Sequence, residues 1–456
     1  MTAEHILGCH PIIFSLLSKV FNCMLCYSYI PTAFGRGITI PIPKNENTSG
    51  AQSIDSFRGI TLSPTISKIF ENCILQIFTK YFSTSDNQFG FKAKIGCQHA
   101  IHTLRSIVDH YVVNDSTVNL CFLDVSKAFD KMDRFALLLK LMKRRVPCSL
   151  IKLFHFWYEN SWNVVRWENV LSSPYKLRSG VKQGSVCSPV LFSIYVNDML
   201  LKLNMYGCNF FYCSASALMY ADDLVLLAPS IAELNTMIAI CCKELSLIDL
   251  KLNAKKSVAV RIGKRCRSNV NNLIAVNETI AWANEARYLG VYILSGYKFN
   301  CNFEKSKIKF YRASNSILSK LCNIDNKSTC VHLVTTIALP ILLYSIETMS
   351  LNQTQLLAIE HPWTRTFMKL FSTFDINIVK QCQHYCGSLP ITYQYALRKM
   401  SFLLSLNMID NNLLNLIADM NNITEISVIA AKFNCDPMIF MNNYRKIINE
   451  QFKREF

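Results

Sequence analysis

Asp222 and Asp223 stand side by side between two apolar runs, Ala217-Leu218-Met219-Tyr220 and Leu224-Val225-Leu226-Leu227-Ala228. The pattern reads as a β-hairpin with both carboxylates at its tip. Neighbouring carboxylates repel each other and resist desolvation unless something cationic pairs with them. A hard divalent metal with oxygen ligands is the usual partner; a solvated Asp-Asp turn is the plain alternative. A third aspartate, Asp124, ends the apolar run at 118–123. Three such carboxylates converge if their strands are neighbours in one sheet. A cluster of that kind can hold two metal ions about 3.5–4 Å apart, the arrangement for in-line displacement at phosphorus. One ion lowers the pKa of an attacking 3′-hydroxyl, and both stabilise charge on the phosphoryl and leaving oxygens.

The elements that must position these groups are readable in outline. Residues 9–30 read as a helix stopped before Pro31. Gly37 to Lys44 is extended, and its prolines argue for an edge strand. Residues 45–53 form a polar loop. Ser63-Pro64 opens a helix, serine as N-cap and proline at the first helical position, that runs to about Phe82. A Gly-punctuated basic loop, 90–96, leads into a helix over about 98–113. After Asp124 the spacing predicts one helix over about 126–145. Residues 162–178 read as a hairpin. Gly180 to Gly184 is a tight loop, and Ser188-Pro189 caps a helix to about Leu203. A helix over 231–250, strands over 258–294 and a helical remainder from about Phe303 complete the chain. The order predicts an α+β protein whose sheet is largely antiparallel.

Composition narrows the function classes. The 456 residues suffice for two or three lobes. The formal net charge of +17, from 48 Lys+Arg against 31 Asp+Glu, suits a polyanionic partner. No stretch passes as a spanning helix: 11–30 is interrupted by Lys19 and Asn22, and 333–346 is short and contains Pro340. The start Met1-Thr2-Ala3-Glu4-His5 lacks a basic n-region. Nineteen cysteines scattered through apolar segments fit reduced, buried thiols of an intracellular protein. Cys23-x-x-Cys26 stands alone, and the spacing of Cys382, His384 and Cys386 fits no common four-ligand zinc site.

Several further motifs fall in order: Ile40-Pro41-Ile42-Pro43-Lys44, Phe57-Arg58-Gly59-Ile60-Thr61-Leu62, Gln88-Phe89-Gly90-Phe91-Lys92, Phe122-Leu123-Asp124-Val125-Ser126-Lys127-Ala128-Phe129-Asp130, Ser179-Gly180-Val181-Lys182-Gln183-Gly184, and Tyr288-Leu289-Gly290-Val291. With Tyr220-Ala221-Asp222-Asp223, the set resembles the reverse transcriptase domain of non-LTR (LINE-type) retrotransposons. The resemblance covers about residues 31–294. It implies a right-hand polymerase: an N-terminal helical segment at 1–30, fingers over about 31–120 and 145–180, a palm over about 118–145 and 180–294, and a helical thumb and C-terminal region over 295–456.

Roles follow from the same resemblance. Asp124 and Asp222 are the implied metal ligands, with the Val125 carbonyl as a further one; Asp223 is the third catalytic carboxylate. Phe129 would sit under the sugar and leave no room for a 2′-hydroxyl; a core-facing helical Phe is the alternative. Gln183 and its glycines would shape the nucleotide and template pocket. Arg58 and Lys44 would meet the incoming triphosphate. Lys256 would sit near the leaving pyrophosphate, or share a general phosphate-facing patch with Lys251, Lys255, Arg261, Lys264, Arg265 and Arg267. The implied cofactors are two Mg²⁺ ions, with Mn²⁺ as a substitute. The implied partners are an RNA template, a DNA primer and deoxynucleoside triphosphates, with no membrane; nuclear residence follows from chromosomal priming. No endonuclease domain, RNase H carboxylate set or Cys-Cys-His-Cys knuckle is visible. A group II intron maturase, which shares the Tyr-Ala-Asp-Asp turn, and a non-catalytic, truncated nucleic-acid-binding remnant stay open as alternatives.

Overall fold

Two strands, Val118–Asp124 and Asp223–Ala228, carry almost no polar residue, as strands covered on both faces do. The computed structural model describes residues 3–44, 54–125, 128–321 and 326–454. In it these strands are antiparallel neighbours at the centre of a six-stranded sheet. Ala217–Tyr220 lies beyond Asp223–Ala228. On the other side follow Val258–Ile262, Glu278–Trp282 and Leu273–Ala275. The one parallel pair in this sheet is Val258–Ile262 with Glu278–Trp282, so the expectation of a largely antiparallel sheet holds.

Alternation divides the core between the two faces. Val118, Leu120, Phe122, Val225 and Leu227 pack with the Cys97–Val113 helix and the C-terminal helices. Cys121, Leu123, Leu224 and Leu226 pack on the other side with the Cys187–Leu203 and Ile231–Ser246 helices. A second sheet, away from this core, joins Phe57–Leu62, Arg36–Pro43 and Trp162–Trp167, with Val170–Leu171 and Tyr175–Lys176 at its far side.

Several local expectations need correction. The strand Arg36–Pro43 is not an edge strand along its length. It pairs antiparallel with Phe57–Leu62 from Ile38 to Pro43, and parallel with Trp162–Trp167 from Arg36 to Thr39. The half that holds Pro41 and Pro43 has no neighbour on its other side, which is where a missing N–H does no harm. The single helix over 126–145 is two, Ala128–Lys131 and Arg134–Lys143. The Phe129 and Met132 carbonyls accept from Val181 N and Gly180 N instead of from a continuing helix. Asp133 caps the second piece through Phe135 N at 2.9 Å.

Neither serine before a proline acts as the N-cap. The first helix runs Thr65–Ile77 with Pro64 at the cap. The other begins at Cys187, because the Glu71 carboxylate accepts from Val186 N and Cys187 N and so organises its first turn. Every cysteine among the described residues is unpaired, but Cys23, Cys26, Cys148 and Cys386 are exposed rather than buried. The polar loop at 45–53 lies outside the described residues, as do Ser126 and Lys127. No helix among the described residues is long and apolar enough to cross a membrane.

Candidate active site

The hairpin after Ala217–Tyr220 closes on a two-residue turn, Ala221-Asp222, with Tyr220 paired to Asp223. Asp222 is therefore at the tip, while Asp223 is the first residue of the next strand. Such turns need a positive φ at their first central residue. Ala221 supplies it at 59°, a conformation that costs an L-residue about 1–2 kcal/mol and must be held from outside. The loop Gln88-Phe89-Gly90 holds it. Phe89 N donates to Met219 O at 2.7 Å, and Met219 N donates to Asn87 O at 2.8 Å. A Cβ on Gly90 would lie 2.3 Å from Ala221 N, so only glycine lets this loop lie against the turn.

Asp223 is the register partner of Asp124. Residues directly opposite in an antiparallel pair share a face, so the two side chains stand on the same side of the sheet. The backbone of Asp124 is fixed from the far side by the turn at 253–257. Asn253 N donates to Asp124 O at 2.9 Å, Asp124 N donates to Ser257 Oγ at 3.2 Å, and Ser257 Oγ donates to Asn253 O at 2.8 Å. Val125, next in line, is buried.

The electrostatics of the cluster are those of unneutralised carboxylates. Burial, then the Asp124 charge, raises the pKa of Asp222. Asp223 is pushed up to about 6, first by burial and then by Asp222 and Asp124. Arg58 acts in the opposite sense on both, and Arg287 on Asp223. Among the described residues, no three His, Cys, Asp or Glu side chains converge closely enough to ligate one ion. The donor chemistry nevertheless fits divalent cations: oxygen ligands at the ends of adjoining strands, with Asp124 raising the pKa of Asp222 and both raising that of Asp223.

The remaining sequence-predicted residues separate by position. Arg58 reaches the carboxylates electrostatically. Lys44 follows the same hairpin, two residues beyond Ile42, the register partner of Arg58, and its N–H donates to Ser56 O at 2.9 Å. Phe129 is half-buried, stacked on Phe192 at 4.5 Å and edge-on to Phe91 at 6.1 Å. One face of the ring therefore belongs to the core, the alternative set out from the sequence.

Gln183 ties three segments together. Its Nε2 donates to Asp130 Oδ1 at 3.0 Å, and its carbonyl accepts from Thr61 N at 2.7 Å. Gly184, at φ +125°, lies where a Cβ would be 2.3 Å from Thr61 O. Lys256 is exposed on the turn that holds Asp124.

Five contributors escaped the sequence reading. Arg287 precedes the Tyr288-Leu289-Gly290 turn, and that neighbour was its only signal. Ser257 and Asn253 carry none. Glu71 also accepts from Ser185 Oγ at 2.6 Å; an acid within an apolar helical pattern was the available hint. Arg134 is buried and donates to the carbonyls of Gly180 (2.9 Å), Tyr158 (3.0 Å) and Leu177 (2.6 Å), which fixes the approach to the Gly180–Gly184 loop.

Residues 42–293 match the family described as reverse transcriptase (RNA-dependent DNA polymerase). The chain belongs to that family. The matched span contains every candidate site residue named above, from Lys44 to Arg287. Reverse transcriptases depend in general on divalent metal, in keeping with the carboxylate cluster. Among curated relatives, this chain is 27% identical over 294 residues to the probable RNA-directed DNA polymerase from transposon BS of Drosophila melanogaster, covering 60% of this chain and 31% of that protein. It is 28% identical over 290 residues to the RNA-directed DNA polymerase from mobile element jockey of Drosophila funebris, covering 60% and 30%. The likeness to proteins of such elements bears out the resemblance to non-LTR retrotransposons. The chain spans about a third of the length of these relatives. Among solved structures, the apo telomerase from Candida Tropicalis matches 96% of this chain and 74% of its own, at 14% identity and a TM-score of 0.46.

Proposed function

We propose that this reverse transcriptase copies retrotransposon RNA into DNA by extending a primer 3′-hydroxyl with deoxynucleoside triphosphates. The observation that carries the reading is the pairing of Asp124 with Asp223 beside the Asp222 turn, within the family-matched span. On this reading the six-stranded sheet is the palm. The sheet built on Arg36–Pro43 and Phe57–Leu62, with Trp162–Trp167, belongs to the fingers. The helices from Glu304 onward form the thumb and C-terminal region.

Asp124 and Asp222, with the Val125 carbonyl, would hold two Mg²⁺ ions, for which Mn²⁺ could substitute. Bound there, the ions lower the pKa of the primer hydroxyl and neutralise charge developing at phosphorus. Asp223 keeps the local field negative enough to favour them. Arg58 faces the carboxylates from the fingers sheet, the position from which a cation stabilises a triphosphate. Lys44, on the same hairpin, extends that charge. Phe129, half-buried, would stand under the sugar while Phe192 supports one face of its ring. Gln183 holds the loop between Thr61 and Asp130 that shapes the pocket. Lys256 lies beside the departing pyrophosphate. The net charge of +17 grips the template–primer backbone through contacts that weaken with salt.

Primer extension on an RNA template with Mg²⁺ tests the assignment. The wild type extends; Asp222→Asn does not, yet binds the template–primer hybrid with nearly unchanged affinity. An Asp222→Asn chain that polymerises normally removes the site. A folded wild type that binds but never extends favours the binding-only remnant.

A further inference from the structure

Outside the family-matched span, the C-terminal helices line a half-open cavity of about 1290 Å³. Its walls come from Gln353–Phe371, Ile376–Tyr385 and Ile391–Leu406, with Lys432 and Phe433 closing one side. This exceeds the roughly 300–1,000 Å³ of small-molecule sites, so the occupant that fits is a segment of polymer. Its charge is lopsided: Arg365, Lys369, Lys380 and Lys432 stand against one carboxylate, Glu360. That carboxylate is already committed, because it accepts from Thr392 N at 3.2 Å in the first turn of the Ile391–Leu406 helix. Burial pushes it up to about 7, against the pull of the Thr392 and Ile391 amides and of Lys380.

Two further features point to a ligand. Gln383 is 2% exposed, lines the cavity, and its side-chain Nε2 has no hydrogen-bond partner within the described chain. A buried amide donor left in this state is costly unless something supplies an acceptor. Phe374, at the rim, is 91% exposed, an unusual placing for so large an apolar ring. Cations that track a backbone, with aromatic rings on which bases stack, are the recurring equipment of single-strand binders.

We infer that this cavity is a second nucleic-acid site, separate from the carboxylate cluster, that takes a single-stranded RNA segment. Phosphates lie along Arg365, Lys380 and Lys432, a base stacks on Phe374, and Gln383 donates to a base or sugar oxygen. The choice of RNA rests on the polymerase reading above. The site would hold template at a distance from the reaction and keep the chain on one RNA molecule.

The test uses the full chain, saturated with an unlabelled RNA–DNA template–primer hybrid, and follows a fluorescein-labelled oligouridine by anisotropy at two salt concentrations. One oligouridine is expected to bind per chain. Arg365→Glu combined with Lys380→Glu, both on exposed positions, is expected to weaken it at least tenfold and to flatten its salt dependence. Phe374→Ala weakens it several-fold, and Gln383→Leu weakens it without lowering the thermal midpoint. Three results overturn the inference: no binding to the hybrid-saturated chain, binding indifferent to all of these substitutions, or tighter binding of an acidic amphipathic peptide. Extension by the wild type without this binding removes the second site alone; binding here without extension removes the polymerase reading alone.

Discussion

Asp223 faces Asp124 directly across two antiparallel strands, and Arg287 and Arg58 pull against the repulsion it feels. Like charges directly opposite in a sheet are destabilising by about 0.2–1 kcal/mol, and the turn aspartate at 222 adds to the repulsion. The chain carries this cost at a position where an apolar pair would continue the core. Asp223→Asn is therefore expected to raise the thermal midpoint of the metal-free protein by a few degrees while lowering extension sharply. Mg²⁺ should raise the wild-type midpoint more than that of the variant. A variant with an unchanged or lower midpoint in the absence of metal would show that the pair is already neutralised.

Phe129 joins the site to the core through one ring. Stacked on Phe192 at 4.5 Å, it supports the short helix after Asp124 and meets Phe91 with its edge. Phe129→Val should admit ribonucleotides and cost about 1–2 kcal/mol, from lost volume and the lost aromatic pair. The ratio of ribonucleotide to deoxynucleotide incorporation measures the first effect and denaturant unfolding the second. Destabilisation with unchanged discrimination would assign the ring to the core alone.

Gly90 reports on the turn from outside. A methyl at this position has to displace Ala221, whose positive φ already stores strain. Gly90→Ala should cost about 1–3 kcal/mol and move Asp222, so kcat falls more than the KM for nucleotide rises. Gly96→Ala is the control, since its nearest neighbour is the flexible end of Gln98 at 3.2 Å.

What was legible in the sequence was periodicity and punctuation. The two-sided apolar strands, the Tyr220-Ala221-Asp222-Asp223 turn and the helices flanking them follow from patterns over a few residues. Contacts between distant segments were not legible. Nothing near Asp133 shows that the Gly180 loop will take the carbonyls of Phe129 and Met132 and split the helix. The interior place of Arg36–Pro43 depends on a parallel partner about 125 residues later in the chain. Glu71 caps a helix that begins 116 residues beyond it, as Cys187 shows. The three aspartates could be named, but which of them faces which is a matter of register, and register is set by the whole sheet.

The C-terminal helices are fastened to the catalytic half by a buried ion cluster, and this gives the last prediction. Arg105, on the Cys97–Val113 helix behind the central sheet, pairs with Glu425 and donates to Thr348 O at 2.6 Å. Lys399 reaches the same carboxylate at 3.0 Å and donates to Met349 O at 2.9 Å. Burial alone would raise the pKa of Glu425, but Arg105 and Lys399 override it and hold the group at about 2, against an ordinary 4.5. A carboxylate with a depressed folded pKa contributes stability above its unfolded value and loses it as pH falls through the window from 4.5 to 2. Asp109, pushed up to about 6 by burial, acts the other way and favours the fold slightly as pH falls from 6 toward 4. His102, buried in the same cluster and held down at about 3 chiefly by burial, stays neutral in the fold while the unfolded chain takes up a proton. The wild-type midpoint should therefore begin to fall below about pH 6.5 and drop more steeply below 4.5. Glu425→Gln should cost about 3–5 kcal/mol at neutral pH, because it leaves Arg105 and Lys399 buried without a counter-charge, and should remove much of the acid limb. Limited proteolysis should then release the helices after residue 350 first. An equal loss of stability across the whole pH range would place the effect in packing rather than in charge.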